Sequence, residues 1–122
     1  MTLEEYQERA MTTCLPESEN FAYMMLNLVG EVGEFAGKVA KAIRKDLSKI
    51  ENNDLRMYSH GDDDAAWDRE YELRKEAGDV LWQLSGLCSV MGWSLEDIAR
   101  QNLGKLADRK TRGVIDGQGD NR

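Results

Sequence analysis

One proline, one histidine and two cysteines are all that 122 residues hold of the types that most often break, ligate or cross-link a chain. With Pro16 alone, nearly the whole sequence is free to be helical. A lone His60 excludes a ferritin-like di-iron site, which needs Glu-x-x-His on two helices. Cys14 and Cys88 do not make a disulfide framework. Cys88 sits in the apolar run Leu84 to Met91 and reads as a small buried hydrophobe. No apolar run approaches ~20 residues, so none is read as crossing a membrane. The start, Met1-Thr-Leu-Glu-Glu, lacks the basic and apolar regions of a signal peptide. Positive charge is scarce: 16 Lys+Arg face 23 Asp+Glu, for a net charge of −7, which suits nucleic-acid binding poorly. P-loop, Rossmann and nucleophile-elbow motifs are also missing. The expectation is a soluble cytoplasmic protein with no nucleic-acid or membrane partner.

What is present is helical periodicity, which predicts one all-α domain over residues 1–122. A first helix is expected from Leu3 to Thr13, stopping before Pro16. A second starts near Ser18-Glu19-Asn20 and runs to Lys45, with Phe21, Met25, Leu28, Val32, Phe35, Val39 and Ile43 as its apolar stripe. The polar, aperiodic segment 46–61 reads as a loop. Asp62, Asp63 and Asp64 supply an N-cap for a third helix running to Val90, with Leu73, Ala77, Val80, Leu81, Leu84 and Cys88 on its stripe. Gly92 fits a C-terminal cap. Ser94 and Asp97 open a fourth helix with capping-box spacing, on the stripe Leu95, Ile98, Ala99, Asn102, Leu103 and Leu106. From Arg112 the Gly-rich segment 112–122 reads as a flexible tail.

Two short stretches carry the chemistry: Glu31-Val32-Gly33-Glu34 and Glu76-Ala77-Gly78-Asp79. Each places two carboxylates three apart on one helical face. Four acids without a nearby His or Cys form a hard oxygen-ligand set, suited to Mg²⁺ or Mn²⁺ and poorly suited to Zn²⁺. Both pairs lie at matched offsets, Glu31 roughly 75° from its stripe. In an antiparallel helix pair they would line one seam at the edge of the core. Like charges so gathered raise each other's pKa, and a cation between them resolves the cost. Carboxylate-held Mg²⁺ keeps positions for water and substrate phosphates, which points to phosphate chemistry. Isolated from one another, the same acids would be ordinary solvated surface.

Gly30, Gly33 and Gly37 fall opposite the stripe of helix two, where each costs about 1 kcal/mol relative to Ala. Close approach of another helix explains them, either the first helix of the same chain or a second subunit. Lys38 lies one turn beyond Glu34 and can either pair with it or meet a phosphate. Lys105, Arg109, Lys110 and Arg112 cluster late, where they can complement a helix C-terminus or bind phosphate oxygens. Trp67, Trp82 and Trp93 are packing residues or platforms for a base.

The boxes Gly30-Glu-Val-Gly-Glu34 and Glu76-Ala-Gly-Asp-Val-Leu-Trp82 resemble the Glu-x-x-Glu and Glu-x-x-Asp signatures of MazG-like nucleoside triphosphate pyrophosphohydrolases. Tyr6-Gln7 is similar to that family's opening helix. Asn102-Leu-Gly-Lys105-Leu-x-x-Arg109 is similar to its closing helix, and Arg112 to Arg122 to the tail of its short single-domain members. The resemblance implies a four-helix-bundle-like all-α fold, assembled as a homodimer or homotetramer. It implies Mg²⁺-dependent cleavage of a (deoxy)nucleoside triphosphate to the monophosphate and pyrophosphate. Glu31, Glu34, Glu76 and Asp79 take the place of the family's metal ligands. Lys38, Asn102, Lys105 and Arg109 correspond to substrate contacts, with Arg112 beside them and Arg122 able to close over the same phosphates. Two departures are visible: Gly30 stands where many relatives carry another acid, and the boxes lie further apart than usual. Related readings are a dUTPase-like or phosphoribosyl-nucleotide hydrolase of the same superfamily, or a helical interaction module without catalysis.

Overall fold

The computed structural model describes residues 1–58 and 63–122, excepting the side chains of 63–66. His60 and the expected Asp62–Asp64 cap fall outside the described residues or side chains. Helix α1 spans Leu3–Met11. Thr2 and Glu5 make a reciprocal capping box, with the Glu5 amide donating to Thr2 Oγ1 at 3.0 Å and the Thr2 amide to Glu5 Oε2 at 2.8 Å. A 3₁₀ turn at Pro16–Ser18 leads into α2, Phe21–Arg44, where the Asn20 side chain accepts from the Tyr23 amide at 2.8 Å. Asp46 then adopts φ 58°, and the Leu47 amide donates back to Ala42 at 2.8 Å. This left-handed stop is the usual helix terminator with Asp in place of Gly.

The next segment corrects the loop reading of 46–61. Strands β1, Ser48–Glu51, and β2, Asp54–Met57, form an antiparallel hairpin pairing Ser48 with Met57 and Ile50 with Leu55. Asn52 and Asn53 sit at φ 52° and 65°, the geometry of a two-residue type I′ turn. Helices α3, Asp63–Val90, and α4, Leu95–Thr111, complete the chain. Gly92 at φ 72° separates them, with the Trp93 amide reaching Cys88 O at 2.8 Å. Ser94 caps α4 by accepting from the Asp97 amide at 3.2 Å. Among the described residues the fold is mostly helical, with four α-helices and a small two-stranded sheet.

Helices α2 and α3 form the central antiparallel pair: Met24 lies against Gly86 at one end, and Lys38 against Glu72 at the other. A Cβ on Gly86 would stand 2.6 Å from Met24 Cε, so this glycine permits the close approach. Helix α1 lies on α3, where Trp82 Nε1 donates to Ala10 O at 3.1 Å and Thr13 Oγ1 at 2.9 Å. Trp82 is therefore a packing residue. The Gln7 side chain donates to Ser89 Oγ and Trp93 O and accepts from the Leu95 amide at 2.8 Å, pinning the α3–α4 turn.

The inward faces are rotated from the expected stripes. On α2 they comprise Met24, Asn27, Leu28, Glu31, Phe35, Val39 and Ala42, while Phe21, Met25, Val32 and Ile43 stay exposed. On α3 they take in Leu73, Glu76, Val80, Gln83 and Leu84, leaving Ala77 and Leu81 outside. Beyond its first turns, the stripe of α4 meets little of this chain: Leu103 is 66% exposed. Among the described residues, Gly33 and Gly37 have nothing within 4 Å of where a Cβ would stand, and Gly30 meets only Asn27. Packing of α1 on that glycine face is thus ruled out, since α1 lies on α3.

Candidate active site

The inward rotation of α2 and α3 brings the acids between the helices. Glu31, Glu34 and Glu76 each offer a carboxylate oxygen within 4.8 Å of the others. Glu76 is buried, Glu31 half-buried and Glu34 exposed, so the group opens to solvent on one side. Asp79 stands outside this trio, yet its charge acts on Glu31 and on the Tyr6 hydroxyl. The seam anticipated at the edge of the core therefore carries a three-carboxylate cluster running from buried Glu76 out to exposed Glu34, with Asp79 outside the trio.

Burial pushes the Glu31 carboxyl up, reinforced by the charges of Glu34, Asp79 and Glu76, and the Asn27 hydrogen bond partly offsets this. Oε2 of Glu31 and Oε2 of Glu76 are both buried without a hydrogen-bond donor among the described residues. An orphaned buried carboxylate oxygen is costly. Two of them within a cluster of hard oxygen donors fit a divalent cation, and the donor set favours Mg²⁺ or Mn²⁺.

Lys38 does not pair with Glu34. Its Nζ crosses to α3, 2.5 Å from Glu76 Oε1 and 3.5 Å from Glu72 Oε2. The bond to Glu76 is the leading cause of its raised pKa. Lys38 is thus already at the rim of the acid cluster.

The late basic residues are elsewhere. Asn102 and Lys105 are exposed on α4, and Lys105 Nζ lies 3.3 Å from Asp120 Oδ1. Arg109 is buried at 4% exposure, with Nη2 3.1 Å from Asp120 Oδ1 and 3.2 Å from its carbonyl. Arg112 pairs with Asp108 at 2.9 Å and donates to the Arg122 carbonyl. Arg122 turns back, Nε donating to Val114 O at 3.1 Å and Nη1 to Gly119 O. No hydrogen bond or ion pair among the described residues joins these groups to the acids. Segment 112–122 is a clasp on the end of α4.

Against this geometry, the model of the MazG nucleotide pyrophosphohydrolase domain matches residues 19–114. The chain belongs to that family. It is also 38% identical over 106 residues to the Gene 37 protein of Mycobacterium phage L5, covering 85% of this chain and 78% of that protein. No solved structure matches it.

Within this MazG domain, several residues near the acids escape a reading of the sequence. Asn27 Nδ2 donates to Gln83 Oε1 at 2.9 Å and to Glu31 Oε1 at 3.3 Å. Gln83 Nε2, fully buried, donates to Met24 O at 3.4 Å. The signal for Asn27 is its place one turn before Glu31, and for Gln83 its place one turn after Asp79. Arg69 and Glu72 precede Glu76 by two turns and one turn on the same face, hidden in a run of charges.

Proposed function

We propose that this chain is a Mg²⁺-dependent nucleoside triphosphate pyrophosphohydrolase, with Mn²⁺ as a possible substitute, cleaving (d)NTP to (d)NMP and pyrophosphate. The observation that carries the reading is the Glu31–Glu34–Glu76 cluster with its two unpartnered buried oxygens. Glu31, Glu34 and Glu76 would hold the metal, with Asp79 completing the set from the flank. Bound there, the metal supplies Lewis-acid charge to phosphate oxygens and lowers the pKa of water.

The chain's own residues then have definite tasks. Asn27 fixes the rotamer of Glu31, so the carboxylate is held before substrate arrives. Lys38, now spanning Glu76 and Glu72, is placed to turn towards a departing pyrophosphate once other charge meets Glu76. Asn102, Lys105, Arg109, Arg112 and Arg122 contribute to phosphate binding when α4 and its tail are brought to an acid cluster. Water adds to phosphorus as the bond to the bridging oxygen breaks, and pyrophosphate leaves on the opposite side.

Assembly as a homodimer or homotetramer belongs to the same proposal. A compact monomer of 13.9 kDa exposes about 6,700 Å², and this chain exposes 8861 Å². The excess is of the size a stable dimer covers. Phe21, Leu26, Val29 and Val32 on α2, and Leu103 and Leu106 on α4, give it an apolar surface. The open flank at Gly33 and Gly37 can admit a close helix from a second copy. Pyrophosphate release from a panel of nucleoside triphosphates, with Mg²⁺ and with EDTA, tests the reading. Metal-dependent release supports it; release of single phosphate, or none from any nucleotide, overturns it.

A further inference from the structure

Arg69 carries a group that the acid cluster does not use. Its Nε and Nη2 are buried and find no acceptor among the described residues. These two atoms form one edge of the guanidinium, a fork of parallel donors suited to two adjacent acceptors. Leaving both unpaired inside a protein is costly, and their being neighbours on one edge makes a ligand the natural remedy.

Arg69 lines a cavity of about 50 Å³ between α2, α3 and the hairpin. A single water needs roughly 10–15 Å³ of such space, so the cavity takes a group several waters in size, the bulk of an aromatic ring. Its walls are aliphatic in part, from Val39, Ala42, Leu55, Met57 and Leu73, while the buried Ser48 adds a hydroxyl and Glu72 a carboxylate. Lys38 belongs both to this wall and to the rim of the acid cluster, where it meets Glu76. Arg69 stands seven residues before Glu76 on α3, about 10 Å along the axis. That is the order of the distance from a nucleotide's phosphates to the edge of its base. A phosphate would lose hydration against the aliphatic part of the wall and meet the Glu72 carboxylate there, whereas a base offers flat apolar faces and a polar edge.

We infer that the hairpin-roofed cavity is the base-binding pocket, and that the Nε/Nη2 fork of Arg69 selects a base with two adjacent acceptors on one edge. Cytosine (O2 and N3) and guanine (O6 and N7) present such a pair. Adenine, thymine and uracil instead alternate donor and acceptor on the edges they offer. The inference rests on the nucleotide reading for its ligand class but not for its test.

Binding of dCMP, dGMP, dAMP and dTMP is measured by calorimetry without metal, and kcat/KM is measured for the four triphosphates with Mg²⁺. The wild type should favour cytosine or guanine nucleotides over adenine and thymine ones by ~10- to 100-fold, and the two arms show which base is taken. Arg69→Lys keeps the charge and removes the fork. It should erase the preference, bringing the cytosine or guanine values down to the level of the adenine and thymine ones; Arg69→Ala and a melting curve check that the fold persists. Hydrolysis without base preference overturns this inference and leaves the pyrophosphohydrolase reading intact. A uniform loss for all four bases in Arg69→Lys also overturns it, assigning the fork to phosphate. Base-selective monophosphate binding without turnover supports the pocket and removes the catalytic reading.

Discussion

The side-chain amide of Asn27 on α2 donates to Oε1 of Gln83 on α3 at 2.9 Å. The same Nδ2 reaches Glu31 at 3.3 Å, so one residue ties the helix pair together and aims a carboxylate of the acid cluster. Asn27→Ala should lower metal affinity or activity by about 10- to 100-fold, as outer partners of metal ligands do. It should also cost about 1–3 kcal/mol, because the buried Gln83 oxygen loses its donor. Calorimetric Mg²⁺ titration and thermal melting separate the two effects. Full affinity in the mutant would show that Glu31 needs no such support.

Removing one of the clustered charges should have opposite effects on activity and on stability. Glu34→Gln or Asp79→Asn should reduce turnover by ~10²-fold or more and leave the fold intact, or slightly steadier without metal. The wild type should likewise gain stability in EDTA as pH falls from neutral. The folded-state pKa of Glu31 is raised, so the folded chain holds that proton more tightly than the unfolded one. That stability is fully present below the ordinary value of 4.5 and is lost as pH rises through the raised one. Mg²⁺ should abolish this trend. Unchanged turnover in either mutant, or in EDTA, would remove the metal site.

Gly86 and Gly33 should respond in opposite ways to added bulk. Gly86→Val must displace the buried Met24 and should cost about 1–3 kcal/mol. Gly33→Ala has open space within the chain and should stabilise an isolated protomer by up to about 1 kcal/mol through helix propensity. If a second copy packs on that face, Gly33→Leu should instead shift the protein to smaller species by light scattering. An unchanged oligomer with Gly33→Leu would leave that flank facing solvent.

The helices and the acid cluster were legible in the sequence for reasons the structure makes plain. Asn20 and Ser94 cap α2 and α4 as their side chains dictate, and Gly92 ends α3 in the left-handed region. The Glu-x-x-Glu spacing alone sets two of the three clustered carboxylates on one face. The facing of α2 was not legible, because apolar residues surround much of it. Phe21, Met25 and Val32 form as convincing a row as Met24, Leu28, Phe35 and Val39, and only burial of the acids with the second row separates them. The hairpin was hidden because few side chains face inward from each short strand: Ser48 from β1, and Leu55 and Met57 from β2, line the cavity. Its one strong signal is Asn52-Asn53, a pair that tolerates the left-handed turn. The role of Arg109 was unreadable because its partner, Asp120, lies in a segment without periodicity.

Lys105 and Arg109 look alike in sequence, and the structure separates them. Lys105 is exposed, whereas the Arg109 side chain is 5% exposed and held by both the carbonyl and the carboxylate of Asp120. Arg109→Ala should therefore lose about 1–3 kcal/mol by removing a buried side chain and its two charge-assisted hydrogen bonds to Asp120, and its loss of activity will not by itself report on phosphate. Lys105→Ala should melt like the parent and lose about 10-fold in kcat/KM, the effect of one charge-assisted contact to phosphate. The Arg109 hydrogen bond, followed by Lys105, holds the Asp120 carboxyl below its ordinary 3.8. Its stabilising contribution is therefore present above that value and lost only as pH falls through the lowered one. At neutral pH the carboxylate competes for the cations that the substrate would use. Asp120→Asn removes that competition and should lower KM for the triphosphate while slightly loosening the tail. Should Lys105→Ala and Asp120→Asn both leave the kinetics untouched, the basic end of α4 serves only to anchor residues 112–122, and phosphate binding must be sought at Lys38 instead.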